Sequence, residues 1–402
     1  MSAQGRTVPG LPDRVAYVDG LRGVAALSVL ATHATAWVRP SLGPADPLAF
    51  VFRLGVYGVD LFFVLSGFCL AFPFLRGRGE IDLARFASRR LVRIIPPYYA
   101  AIALFALALW AGPSPFIHYV FPPQDGWRLL AQALFLDRNP HYLSSPFWTL
   151  AIELRWYAMF PLALWLWMAS PRAFAVVGVA AIVAFRWTTA GAADLYALPA
   201  FMLGIVAADA VVRRSIPSRT AWTVLAVLCA VTLPLECFVG PSKFDPPLRE
   251  LDVRDYLPPQ RTLWQFVAFA GVLAAGVSTL AQRILAWRSL ALCGRASYSI
   301  YLVHLPVVIA LRTGGVEPSG SWAEAGVLAA AGLGAGLLFW RLIEYPVTET
   351  ALKTRLLACV EPAVVRAFAW LRLPQALPLG AGVQAGVASP ARASIGSAAS
   401  SA

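Results

Sequence analysis

The chain has 402 residues, 59% of them hydrophobic and only 13% charged, with a formal net charge of +12. That is too little charge to solvate the surface of a soluble domain of this size, which excludes the soluble globular classes. The basic residues sit in short stretches between apolar runs, where they set membrane topology, so no nucleic-acid partner is expected.

At the N-terminus, MSAQGRTVPGLPDR is polar, and the apolar run after it lacks a small-residue cleavage site. Residues 1–16 are therefore expected to be a cytoplasmic segment and not a signal peptide. A helix that crosses the hydrocarbon core takes roughly 20 mostly apolar residues. Ten such spans are predicted, at about 19–38, 55–75, 94–112, 146–168, 173–189, 192–212, 220–239, 263–281, 296–312 and 322–343. The segment WRLLAQALFL, 127–136, is too short to cross and is expected to lie in the interface or to re-enter. Residues 17–346 then form a membrane domain, 347–373 a cytoplasmic segment with a helical pattern, and 374–402 a disordered tail of mostly Ala, Gly, Ser and Pro.

Charge orients the spans. RGRGEIDLARFASRRLVR holds Arg76, Arg78, Arg85, Arg89, Arg90 and Arg93, the strongest basic stretch, which belongs on the cytoplasmic side. Alternation puts Arg213, Arg214 and Arg219 on the same side, then Arg283, Arg288 and Arg295, then Lys353 and Arg355. Loops 113–126 and 313–321 contain no Lys or Arg, whereas loop 240–262 mixes both signs. The expected fold class is all-α: a polytopic protein of the inner (plasma) membrane, in contact with membrane lipid, with about ten transmembrane helices and both termini cytoplasmic.

Ionisable residues inside a span are costly and point to function. The first span, YVDGLRGVAALSVLATHA, carries Asp19, Arg22 and His33. Arg22 and His33 are eleven residues apart, which at about 100° per residue sets them within about 20° of one face and about 16 Å apart along the axis. Arg22 is thus expected at the cytoplasmic mouth, where Asp19 can pair with it, and His33 deep toward the outer side. GVDLFFVLSGF, 58–68, has Asp60 near the outer end and Ser66 deeper, with small residues that admit a close neighbour. FWTLAIELRWYAMFPL, 147–162, has Glu153 at a depth that suits His33, and a carboxylate there would orient the imidazole. SYSIYLVHLPV, 297–307, repeats Ser297, Tyr301 and His304 at helical spacing, as in the lining of a polar path.

Other features carry less. Cys69, Cys229, Cys237, Cys293 and Cys359 form no C-x-x-C pair and are read as packing residues. His118 and His141 are read as ordinary surface histidines of the outer loop. Neither H-E-x-x-H, Walker A nor G-x-S-x-G occurs, and no metal site is expected.

Taken in order, these stretches resemble the acyltransferase-3 family of membrane acyltransferases. The first helix is similar to the family's DGLRGxAAxxVxxxH, with Asp19-Gly20-Leu21-Arg22 through His33. GVDLFFVLSGF resembles its second helix, RRLVRIIPPYY (Arg89 to Tyr99) its basic stretch ending in aromatics, and FWTLAIELRWY and SYSIYLVHLPV later segments. RLIEYP, Arg341 to Pro346, looks like its closing motif. One departure is Leu154, where many relatives carry a second acidic residue after the glutamate.

The resemblance implies transfer of an acyl group, often acetyl, from cytoplasmic acyl-CoA to a hydroxyl of a sugar, in a surface glycan or a glycosylated metabolite. The partners implied are acyl-CoA as donor and a sugar-containing acceptor, with no permanently bound cofactor. Arg89, Arg90 and Arg93 would take the CoA phosphates, His33 would be the general base, Glu153 would orient it, and Arg22 would bind the donor or the developing oxyanion. Relay through an acyl-enzyme on His33 or Ser66 is a variant of the same scheme. The rival class is a transporter or flippase whose intramembrane polar residues line a pathway.

Overall fold

The computed structural model describes residues 15–38, 46–77, 80–110, 126–135, 145–187, 192–239, 261–313 and 319–378. Arg78, His118, His141, most of loops 113–126 and 240–262, and the expectations for 1–14 and 379–402 lie outside the described residues.

The described chain is helical apart from one short strand pair. In lipid, backbone polar groups must be satisfied within a segment, and the helix does this. The first half comprises α1 (Ala16–Ala36), α2 (Pro47–Arg53), α3 (Gly58–Leu75), α4 (Leu83–Trp110), α5 (Gly126–Ala133), α6 (Trp148–Ala169) and α7 (Pro171–Trp187). The second comprises α8 (Ala192–Arg213), α9 (Ser218–Val239), α10 (Arg261–Val277), α11 (Thr279–Leu285), α12 (Arg288–Arg295), α13 (Ser297–Thr313), α14 (Trp322–Phe339), α15 (Tyr345–Glu349) and α16 (Ala351–Trp370). A turn of π-helix, Trp340–Glu344, joins α14 to α15. Strands β1 (Glu80–Asp82) and β2 (Ala376–Pro378) pair antiparallel, Ile81 opposite Leu377, and tie the segment after α16 to the start of α4.

The described residues of the ten predicted spans are helical apart from one break. Five helices are long and apolar enough to cross a membrane, or up to seven if two bent pairs each count as one span; the protein is an all-α, multi-pass membrane protein. Among the long helices below that measure, α1 carries Asp19, Arg22 and His33, and α6 carries Glu153 and Arg155. Segment 127–136 contains only the eight-residue α5, whose Trp127 and Leu130 are exposed.

One predicted span is not a continuous helix. The stretch 263–281 breaks after Val277, where Ser278 accepts a hydrogen bond from Ala281 N and caps α11, and the axis turns by 102°. A second turn, of 75°, separates α12 from α13. These bends bring α11 and α12 across the N-terminal end of α1. Contact there is backbone to backbone: a Cβ on Gly294 would lie 1.6 Å from the Asp19 carbonyl oxygen, and one on Gly20 would lie 2.0 Å from that of Leu285. Gly67 and Gly204 let α3 and α8 cross in the same manner, each against a carbonyl of the other. Small residues at crossings are how membrane helices gain close packing.

Candidate active site

Two cavities meet at Arg22. The larger, of about 510 Å³, is walled by the N-terminal part of α1, the first turns of α4, the end of α12 and the start of α16. It gathers Arg22, Arg89, Arg90, Arg93, Arg295 and Lys353, with Asp19, Glu344 and Glu349 among them. Three basic stretches far apart in sequence thus converge on one chamber, which suits a polyanion. Arg90 lies over the rings of Phe86 and Tyr157, 5.5 and 5.6 Å from their centroids, and its Nε is buried without a hydrogen-bond partner.

The smaller cavity, of about 50 Å³, is lined by Arg22, Ser66, Thr149, Glu153, Ser297 and Tyr301, with apolar walls from Val59, Phe62, Phe63 and Leu150. Arg22 Nε donates to Ser297 Oγ at 3.2 Å, which fixes the guanidinium at the junction. Glu153 accepts from Ser66 Oγ at 3.3 Å and from Tyr157 OH at 2.5 Å. The Thr149 and Tyr301 hydroxyls are 3.0 Å apart. Polar groups on four separate helices and a tight, otherwise apolar wall are what a site for a small reacting group requires.

His33 lines neither cavity. Its Nδ1 lies 3.0 Å from Nε2 of His304, and both rings are buried, at 7% and 1% exposure. Tyr301 connects this pair to the smaller cavity, its ring centroid 6.0 Å from that of His304. The expected contact of Glu153 with His33 is not made: the carboxylate faces the smaller cavity and bonds to Ser66 and Tyr157, and the imidazole bonds to α13 instead. Ser297 and Tyr301 line the smaller cavity, whereas His304, on the same helix, turns to α1. Arg155 pairs with Asp194 at 2.8 Å, away from Glu153.

Asp60 stands in a different cluster. Arg261 Nε donates to Asp60 Oδ2 at 3.1 Å, and Tyr196 OH and Gln265 Nε2 also bond to the carboxylate. The guanidinium lies between the rings of Tyr57 and Tyr196, 5.6 Å from each centroid. Sequence reasoning left Arg261 in the mixed-charge loop 240–262; it opens α10 and is fully buried. An aspartate near the end of an apolar span requires a cation, and Arg261 at the head of the apolar run 263–281 was the available signal. Glu344 of RLIEYP, buried in the π-turn, accepts from Ser299 N and Oγ at 3.1 and 2.6 Å, a partner that the motif alone does not reveal. Among the described residues, no group of three or more His, Cys, Asp and Glu is arranged to hold a metal ion.

A family model described as an acyltransferase domain matches residues 15–341. The chain is similar to an acyltransferase of Streptomyces mycarofaciens, MdmB, at 26% identity over 83% of this chain and 91% of that one. It is also similar to the peptidoglycan O-acetyltransferase OatA of Listeria monocytogenes, at 26% identity over 73% of this chain but only 49% of the relative, so the chain spans about half the length of that protein. A third relative is protein 2 of the picA locus of Rhizobium radiobacter, 32% identical over 36% of this chain and 78% of the other. No solved structure matches.

Proposed function

This chain belongs to the acyltransferase-domain family matched over residues 15–341, and we propose that it moves an acetyl-sized acyl group from acyl-CoA to a sugar hydroxyl, in a surface glycan or a glycosylated metabolite. The observation that carries the reading is that Arg22 lines both cavities. The larger has the volume and the arginines for the phosphorylated part of CoA: Arg89, Arg90 and Arg93 offer charge-assisted hydrogen bonds. The smaller, beyond Arg22, has room for little more than an acetyl group. A thioester drawn across the junction meets the guanidinium, which balances the charge that develops on its carbonyl oxygen. Asp19 lies in the same wall as Arg22.

His33 is the general base in this scheme; it lines neither cavity, and Tyr301 stands between the smaller cavity and the histidine pair, so the acceptor hydroxyl has to enter past Tyr301 to reach it. His33 takes the proton of the acceptor hydroxyl; the hydroxyl oxygen bonds to the thioester carbonyl carbon; the carbon–sulfur bond breaks; and the proton passes to the departing thiolate, so that CoA leaves as the free thiol. Positioned proton transfer of this kind contributes about 10²–10⁴ in rate. Glu153, bonded to Ser66 and Tyr157, faces the smaller cavity that Arg22 also lines and balances part of its positive charge. The topology we propose has ten spans and cytoplasmic termini in the plasma membrane, which sets the larger cavity on the side where acyl-CoA is found. The relatives' names favour a glycan acceptor, since one of them is a peptidoglycan O-acetyltransferase.

The test is the full-length protein in lipid vesicles with labelled acetyl-CoA and a glycan-bearing membrane fraction from its own host. Label is expected in the glycan, and a His33→Ala protein that inserts normally is expected to lose about 10²-fold or more of the transfer. Full transfer by His33→Ala would remove the base; movement of glycan across vesicles with no thioester requirement would favour the transporter class.

A further inference from the structure

The hydrogen bonds of the buried histidine pair have a direction. His304 Nδ1 lies 2.8 Å from the Ile300 carbonyl oxygen and 3.0 Å from that of Tyr301. A carbonyl oxygen only accepts, so His304 Nδ1 carries the N–H. A neutral imidazole has one N–H, which leaves Nε2 of His304 as an acceptor. That atom is 3.0 Å from His33 Nδ1, so His33 donates from Nδ1 and its own Nε2 holds a lone pair. The ring centroids are 4.9 Å apart with planes tilted by 50°, an arrangement that joins the two through their nitrogens and not their faces. Both acceptors of His304 Nδ1 are main-chain carbonyls of α13, which cannot donate, so in this rotamer the order of donation is fixed.

We propose that His304 is a positioning residue that holds His33 in its Nδ1–H tautomer, and that His33 Nε2 is the atom that takes the acceptor's proton. The tautomer follows from the hydrogen bonds alone; the proton transfer rests on the reading of His33 as the general base. The proton leaves the hydroxyl oxygen for Nε2, and the resulting imidazolium keeps its Nδ1–H on the His304 lone pair until the thiolate takes the new proton. His304 thereby has the part that a carboxylate has in a hydrolase triad: it fixes which nitrogen is basic and stabilises the charge that forms. Its neutrality makes this a weaker orienter than a carboxylate, one that needs no counter-charge deep in the membrane.

The chain has only four histidines, so ¹⁵N-histidine labelling of the full-length protein in lipid nanodiscs resolves them, with His118→Asn and His141→Asn removing two of the four signals. In this background His33 is expected to show a pyridine-type Nε2 and a pyrrole-type Nδ1. His304→Leu is expected to abolish that pattern and to lower kcat by about 10²-fold or more with the donor KM unchanged. His304→Gln, whose side-chain oxygen replaces the accepting nitrogen, is expected to keep the pattern and recover at least a tenth of the rate. A wild-type His33 with its proton on Nε2, or a His304→Leu protein with an unchanged His33 spectrum, overturns the positioning role. The expected spectrum together with full transfer by His33→Ala overturns the proton-transfer half instead, so failure of the tautomer and failure of the base are told apart.

Discussion

Arg22 Nε donates to Ser297 Oγ across 3.2 Å, and this bond joins α1 to α13 where the basic cavity narrows into the small one. A guanidinium tethered on one edge keeps its other N–H groups aimed at whatever occupies the junction. Arg22→Gln is expected to lower kcat by about 10²–10³-fold, the loss typical of a transition-state donor. Arg22→Lys is expected to recover little, because a flexible ammonium lacks the fork that reaches Ser297 and a carbonyl oxygen together. Steady-state rates with saturating acetyl-CoA check both; a change confined to KM would make Arg22 a plain binding residue.

The arginines of the larger cavity predict a different kinetic signature. Arg89→Gln, Arg90→Gln and Arg93→Gln should each raise the donor KM about tenfold, equivalent to about 1.4 kcal/mol, with kcat little changed. The effect should shrink at high salt, though less than for surface charges, since these groups line a recessed cavity. Acetyl-pantetheine, which lacks the nucleotide phosphates, is the control: with it, the three variants should match the wild type. Equal losses with both donors would mean that these arginines act on the fold.

Asp60 and Arg261 are both fully buried, and each is the other's ion-pair partner. Removing one charge strands the other in a low-dielectric interior, at a cost of about 3–5 kcal/mol. Asp60→Ala is therefore expected to lower the thermal midpoint sharply in detergent, while the protein that stays folded keeps its kcat. Asp60→Leu combined with Arg261→Met should recover most of the lost stability, since an apolar pair of similar volume leaves no buried charge. A folded Asp60→Ala protein with no activity would place this cluster in the chemistry.

Much of the site's composition was legible in the sequence, because a charge inside an apolar run stands out against its neighbours. Arg22, His33, Asp60, Glu153 and His304 all announce themselves in that way. Their partners were not legible. The meeting of His33 with His304 depends on how α1 and α13 pack across 271 residues of chain, and helical periodicity is silent about which of several inward faces touch. Glu153 was expected at the imidazole because the depths agree, yet depth fixes one coordinate of three. The break at Ser278 was hidden inside an apolar run, where a single N-cap serine looks like any small residue of a membrane helix. Arg261 was hidden by the reverse effect, a charge at a run's edge being the usual sign of an interface.

Ser66 decides between direct and relayed transfer. Its hydroxyl lines the smaller cavity and donates to Glu153 Oε1, the geometry of a nucleophile beside a base. Two features argue against that use. The contact, at 3.3 Å, is long, and the same carboxylate oxygen already accepts from Tyr157 OH at 2.5 Å, so Ser66 is the more weakly held of its two donors. The expected result is that Ser66→Ala keeps transfer within about tenfold of wild type, the loss of one oriented hydrogen bond. Glu153→Gln should lose more, since it also unbalances the charge of Arg22, Arg90 and Arg93. With labelled acetyl-CoA and no acceptor, no acyl-protein should accumulate. A labelled protein that appears in wild type and vanishes in Ser66→Ala would make the serine the carrier and reassign the proton step from His33 to Glu153.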